Sequence, residues 1–164
     1  MTGEVRLRPV RDGEELVDSS SVWDNWGVRD GPRPADLERL VVEEDGVAVG
    51  DVSWHTVWYG PNQASRTFNI GISLAGPARG RGIGTRAQRL LVEYLFVSTD
   101  VARVEASTDV ANVPEQRSLE KAGFVREAVL RSAQSRVDGR HDLVVYSFLR
   151  SDLPLRPAPG RVSR

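Results

Sequence analysis

Strict alternation of apolar and polar positions marks several strands along the chain. Residues 4–10 (EVRLRPV) alternate over their whole length, and 66–74 (RTFNIGISL) put Phe68, Ile70, Ile72 and Leu74 on one side. Residues 37–60 (LERLVVEEDGVAVGDVSWHTVWYG) read as two strands around Asp45-Gly46, a strong hairpin signal. A further strand is expected over 102–110 (ARVEASTDV). A second hairpin is expected from 126–137 (REAVLRSAQSRV) and 141–150 (HDLVVYSFLR), flanking Asp138-Gly139-Arg140.

Between the strands the period changes to that of a helix. Ala87, Leu90, Leu91, Tyr94 and Leu95 fall at helical spacing. Residues 112–124 (NVPEQRSLEKAGF) predict a short helix, with Pro114 tolerated in its first turn and Gly123 as a left-handed stop. A weaker helical pattern runs from Asp12, a possible N-cap, to Trp26, and Gly27 to Pro34 reads as a loop. The expected order is β-α-(α)-β-β-β-α-β-α-β-β. That is an α+β plan with a mixed, mostly antiparallel sheet of six to seven strands flanked by about four helices. Residues 1–153 are expected to form one domain, and 154–164, rich in Pro and Arg, a flexible tail.

Composition narrows the classes. The 164 residues are 40 % hydrophobic and 27 % charged, as in a folded domain. A net charge of −1 argues against nucleic-acid and membrane-surface partners. No cysteine is present, which excludes disulfides, thiolate metal sites and a cysteine nucleophile. No run of 18 apolar residues occurs, and the first residues lack a basic-then-apolar leader pattern, so a cytoplasmic location is expected.

The segment 78–91 (ARGRGIGTRAQRLL) places Gly80, Gly82 and Gly84 directly before the helical run. Backbone N–H groups from Arg81 to Thr85, together with the start of a helix, would wrap a pyrophosphate. The spacing does not fit G-x-x-x-x-G-K-[ST], because no lysine follows, nor G-x-G-x-x-G, because Gly84 falls one residue early. It fits R-x-x-G-x-G through Arg79, Gly82 and Gly84. A plain tight turn is the alternative reading of the glycines.

This motif, together with Asn112, Lys121, Gly123 and Phe124 of "NVPEQRSLEKAGF" about 30 residues on, resembles the GNAT superfamily of acetyl-CoA-dependent N-acetyltransferases. "LRP" (Leu7 to Pro9) and "DGRHDLVVYSFLRSDL" resemble its ribosomal-protein N-terminal (alanine/serine) acetyltransferase branch. The resemblance covers residues 4 to 153. It implies the GNAT acyl-CoA N-acyltransferase fold and transfer of an acetyl group from acetyl-CoA to a primary amine by direct attack in a ternary complex. The acceptor would be a protein N-terminus or a small molecule, with no metal needed and the protein a monomer or homodimer. It implies that Arg79, Gly80, Arg81, Gly82, Ile83, Gly84 and Thr85 hold the pyrophosphate. It further implies that backbone within Ile72, Ser73 and Leu74 polarises the thioester, and that Asn112 and Lys121 also contact the coenzyme.

Acetyl transfer needs a neutral amine, a polarised carbonyl and relief of charge on the leaving sulfur. His55 and Glu105 are the candidate bases, and Ser118 and Tyr146 the candidate acids. Trp23, Trp26, Asp30, Asp51 and Trp54 are the candidate acceptor-site residues, because tryptophans and carboxylates suit a cationic amine. Two other readings stay open. One is a non-catalytic acyl-CoA-binding or regulatory module. The other is a nucleotide-binding protein, which the loop spacing disfavours.

Overall fold

The computed structural model describes residues 3–154. Of the tail expected over 154–164, all but Pro154 lies outside the described residues. Seven strands form one sheet: β1 (Val5–Pro9), β2 (Glu38–Glu44), β3 (Val47–Trp58), β4 (Arg66–Leu74), β5 (Arg103–Asp109), β6 (Val125–Arg136) and β7 (Gly139–Leu149). Their order is β1-β2-β3-β4-β5-β7-β6. Every neighbouring pair is antiparallel except β4 and β5. Those two run parallel and pair only from Phe68↔Val104 to Ile70↔Ala106. Beyond Ile70 the strand partner of β4 is β3 alone, so the sheet opens between Gly71–Leu74 and the end of β5.

The β2–β3 turn is set by Asp45 (φ 50°) and Gly46 (φ 81°). This left-handed pair matches the twist of the flanking strands. Two α-helices, α1 (Ile83–Ser98) and α2 (Val113–Ala122), lie against each other on one face of the sheet. Helix α1 buries Ile83, Ala87, Leu91 and Leu95 at i, i+4 spacing, and α2 adds Leu119 and Ala122. They close over Val52, Trp54, Phe68, Ile70, Val104, Ala106, Val144, Tyr146 and Phe148. Arg150 fastens the far end of α1 by donating to the carbonyls of Phe96, Thr99 and Val101. No helix among the described residues is long and apolar enough to cross a membrane.

The helical pattern expected over 12–26 is not realised. Gly13 turns the chain at φ 73°. Asp18 accepts from both the N–H and hydroxyl of Ser20, and Ser21 and Asp24 cap each other around a single 3₁₀ turn, Val22–Asp24. These short polar side chains satisfy the backbone locally and compete with helix formation. Among the described residues the α-helices are therefore two, with a single 3₁₀ turn in the segment where further ones were expected.

Among the described residues the other face of the sheet is consequently free of α-helices. It carries Asp51, Ser53 and His55 from β3, Thr67, Asn69 and Ser73 from β4, and Glu105, Ser107 and Asp109 from β5, at the positions alternating with the core. The segment 10–37 crosses it as an extended strap. It is tied to the end of β4 through Ser19 and Ser20, to the β6–β7 hairpin through Trp23 and Asn25, and to β3 through Asp36.

Candidate active site

The glycine segment folds into a turn that opens α1. Gly80 and Gly82 adopt φ 72° and 75°, where a side chain would strain the backbone. Gly82 is the N-cap and supplies no side-chain bond, and the first backbone N–H to reach back to it is that of Arg86. The N–H groups of Ile83, Gly84 and Thr85 are thus left for an external acceptor, at the positive end of the helix dipole. A Cβ at Gly84 would stand 3.4 Å from Ser118 Oγ, 3.6 Å from Leu74 Cδ1 and 3.7 Å from Ile72 Cδ1. The start of α1 thus sits against the open end of β4. Donors for an anion and the parted strand edge of Ile72–Leu74 therefore adjoin each other, an arrangement that fits coenzyme A.

The arginines of the motif are committed to the protein. Arg79 donates to the carbonyls of Leu74 (2.9 Å), Ser19 (2.7 Å) and Ser20 (2.8 Å), so it ties the strap to β4. Its guanidinium is spent on these three carbonyls. Arg81 pairs with Glu44 at 2.9 Å. Lys121, with Arg86, Arg89, Thr85, Val5 and Leu90, lines a groove of about 430 Å³ that continues from the glycine turn between the helices. Asn112 caps α2, accepting from Glu115 N–H at 3.4 Å and donating to Thr108 Oγ1 at 3.0 Å, which pins α2 to the end of β5.

On the helix-free face a cavity of about 610 Å³ lies over β4 and β5. Glu105, 5 % exposed as a residue, faces it one rung before the strands part. Its carboxylate accepts from Tyr59 Oη (2.8 Å), Arg103 (3.2 Å) and Asn69 (3.4 Å). Arg103 also grips Glu127 at 2.6 Å, and with Ser147 it draws the Glu127 carboxyl down to about 2. Burial and the Glu105 bond both raise the Tyr59 hydroxyl, so it stays a donor. His55, Asn69 and Glu105 occupy one row across β3, β4 and β5. His55 itself does not line the cavity.

The remaining sequence candidates separate. Trp54 is on the core face, 7 % exposed and edge-on to Tyr94, so it cannot wall an acceptor site on the opposite face. Asp51 is buried and held by Arg39 at 2.6 Å. Trp23 and Trp26 belong to the strap, where the Arg136 guanidinium bonds the Trp23 carbonyl and covers the Trp26 ring at 4.2 Å. Asp30 is exposed in the strap beyond them. Tyr146 is sealed in the core, its hydroxyl donating to Glu120 at 2.9 Å and pushed up to about 12, first by burial. That removes it from reach of the cavity. Ser118 lies between the helices, bonded to Gln88 (3.1 Å) and near Thr85 Oγ1 (3.2 Å).

Sequence reasoning passed over Tyr59, Asn69, Arg103 and Glu127 as site residues, and Glu115. For Asn69 the signal was available, since it shares the alternation of β4 with Thr67 and Ser73. Among the described residues no group of three or more metal-ligating side chains is gathered.

A mixed sheet parted beside a glycine-capped helix sets an anion cradle next to an open strand edge. Residues 6–125 match the acetyltransferase (GNAT) domain, and the chain belongs to that family. It is 32 % identical over 108 residues to YdaF of Bacillus subtilis (strain 168), provisionally named a ribosomal N-acetyltransferase. The match covers 66 % of this chain and 57 % of YdaF, so the chain spans little more than half that relative's length. Among solved structures it is similar to Mycobacterium smegmatis RimJ in complex with CoA-disulfide, with 25 % identity and a TM-score of 0.65 over 73 % of this chain and 56 % of RimJ. The ribosomal-protein-S5-alanine acetyltransferase of Vibrio fischeri shares the fold at 22 % identity, with a TM-score of 0.62 over 71 % of this chain and 63 % of that one.

Proposed function

We propose that the chain is an N-acetyltransferase that moves the acetyl group of acetyl-CoA to a primary amine, of a protein N-terminus or a small molecule, by direct attack in a ternary complex. The observation that carries this reading is the Glu105 carboxylate. It faces the helix-free cavity over β4 and β5 one rung before the strands part, and the anion cradle adjoins the open end of β4.

The N–H groups of Ile83, Gly84 and Thr85 would hold the coenzyme's pyrophosphate, and Lys121 would face its more distant phosphate. Bound there, acetyl-CoA supplies an acyl carbon activated as a thioester. A free backbone N–H of Ile72–Leu74 suits the developing oxyanion. Glu105 receives the proton of the attacking amine, directly or through one water. Tyr59, Arg103 and Asn69 fix its orientation, as a general base requires. An α-amine, with a pKa of about 7.7, leaves that base less to do than a lysine at about 10.4.

The test is release of free coenzyme A thiol from acetyl-CoA in the presence of Ala- and Ser-initiated peptides, spermidine and an amino sugar. Turnover on at least one amine is expected. Tight coenzyme A binding with no turnover on any amine would assign the chain to acyl-CoA binding instead.

A further inference from the structure

The reading above leaves the departing sulfur without a proton donor. Tyr146 is sealed away, and Ser118 is already shared between Gln88 and Thr85. A carboxyl group between the helices has no part in the scheme so far. Glu115 lies in the first turn of α2, and its Oε1 accepts a close hydrogen bond from Gln88 Nε2 of α1. Gln88 is itself only 2 % exposed.

The inward face of α2 presents Asn112, Glu115 and Ser118 at three-residue spacing. Asn112 is bonded to Thr108 near the end of β5. Ser118 sits against Gly84, whose other neighbours are Ile72 and Leu74 of the open end of β4. Glu115 is between those two points. In the acetyl-transfer reading, a chain joining an anion at the start of α1 to a carbonyl in the opening between β4 and β5 would run beside this turn of α2, whose two ends neighbour Thr108 of β5 and Gly84 of α1.

We propose that Glu115 is a catalytic residue that gives its proton to the sulfur as the thioester breaks. This rests on the acetyl-transfer reading. The amine nitrogen bonds to the acyl carbon, and the carbon–sulfur bond breaks with its electron pair on sulfur. The Glu115 O–H proton moves to that sulfur, giving free coenzyme A thiol and a Glu115 carboxylate, which solvent reprotonates. The amine's surplus proton leaves through Glu105 or water. Loss of water between the helices pushes the Glu115 carboxyl up to about 7, against the lowering effect of Gln88, so the acid form is well populated at neutral pH. No charged group contributes to that shift; the polar side chains around the seam are Gln88, Ser118, Thr85 and Asn112. The two carboxyl groups then address the reaction from opposite faces of the sheet.

The test uses Glu115→Gln, which keeps the shape and a hydrogen-bonding partner for Gln88, with acetyl-CoA and an Ala-initiated peptide or spermidine as probes. A fall in kcat on the order of a hundredfold is expected, with the KM for acetyl-CoA and the Kd for coenzyme A within twofold of wild type. In wild type kcat should decline as pH rises past about 7. That limb should be absent in Glu115→Gln and partly restored in Glu115→Asp. Independently of activity, a ¹³C-glutamate spectrum should show one carboxyl titrating near pH 7 that disappears in Glu115→Gln. Wild-type turnover with undiminished kcat and an unchanged pH profile in Glu115→Gln, or titration of that carboxyl below pH 5, overturns this proposal alone. Coenzyme A binding without wild-type turnover on either probe overturns it together with the acetyl-transfer reading.

Discussion

Asn69 and Glu105 face each other across β4 and β5, with Asn69 Nδ2 3.4 Å from Glu105 Oε1, one rung before the strands separate. The amide marks where the parallel ladder is about to end. It leaves the other oxygen of the carboxylate to Tyr59 and Arg103.

Glu105→Gln is therefore expected to lower kcat/KM for an α-amine acceptor by on the order of 10²-fold at pH 7. The deficit should shrink above pH 8, where such an amine is already neutral. A pH series of initial rates decides it. A deficit equally large at pH 9 would assign Glu105 to substrate positioning rather than proton transfer.

The two loop glycines should respond differently. Gly82→Val forces a β-branched residue to φ 75°, and coenzyme A affinity should fall at least tenfold in a protein that still folds. Gly84→Ala meets its neighbours at 3.4 Å or more, ordinary contact, and should keep affinity within a few-fold. Calorimetric titration with coenzyme A separates the two. Unchanged affinity in folded Gly82→Val would refute the cradle.

Glu115 carries a cost in stability. Its folded value, about 7, lies above the ordinary carboxyl value of about 4.3. The folded state then binds the proton more tightly than the unfolded one. Stability linked to Glu115 is full below pH 4 and is lost as pH rises through 7, by on the order of 3–4 kcal/mol. Glu115→Gln should unfold at a Tm on the order of 10 °C higher than wild type at pH 8 and at the same Tm at pH 4. Thermal melts without ligand at both pH values measure it.

The strap is latched by Arg136 and Asp109, whose side chains are only 4 % and 2 % exposed at 3.7 Å, with His141 bonded to Asp109 on the other side. Arg136→Met should release Trp23 and Asn25 from the hairpin and cost up to about 3 kcal/mol. It should also raise the acceptor's KM several-fold while leaving that for acetyl-CoA alone. Limited proteolysis between residues 19 and 34 reports the release. His141 is shifted upward, chiefly by the Asp109 bond, so its contribution is full below about pH 6.5 and fades as pH rises through its folded value. Cleavage of the strap should accelerate over that rise.

Much of this architecture was readable in the residue pattern because alternation holds along Asp51–His55 of β3, Thr67–Leu74 of β4 and Arg103–Ser107 of β5, and the turns carry Asp-Gly. The face assignments followed too, which is why His55 and Glu105 share a row. What was hidden has identifiable causes. Residues 12–26 have a helix-like rhythm, but Asp18, Ser20, Ser21 and Asp24 spend their side chains on nearby backbone, a competition that periodicity does not register. Trp54 has the composition of a binding residue, and only its register with Ile70 shows that it points into the core. Arg79 belongs to a phosphate-loop motif, but its partners are carbonyls some 60 positions earlier in the chain. Glu115 reads as an ordinary helix-opening acid until α1 closes over it.

Three rungs are all that β4 and β5 share. They are the parallel junction between a four-stranded piece, β1 to β4, and a three-stranded piece, β5 to β7. The weakest seam of the sheet thus coincides with the slot proposed for the coenzyme. A molecule seated there would act as a rivet, so that cargo loading and mechanical integrity rise together.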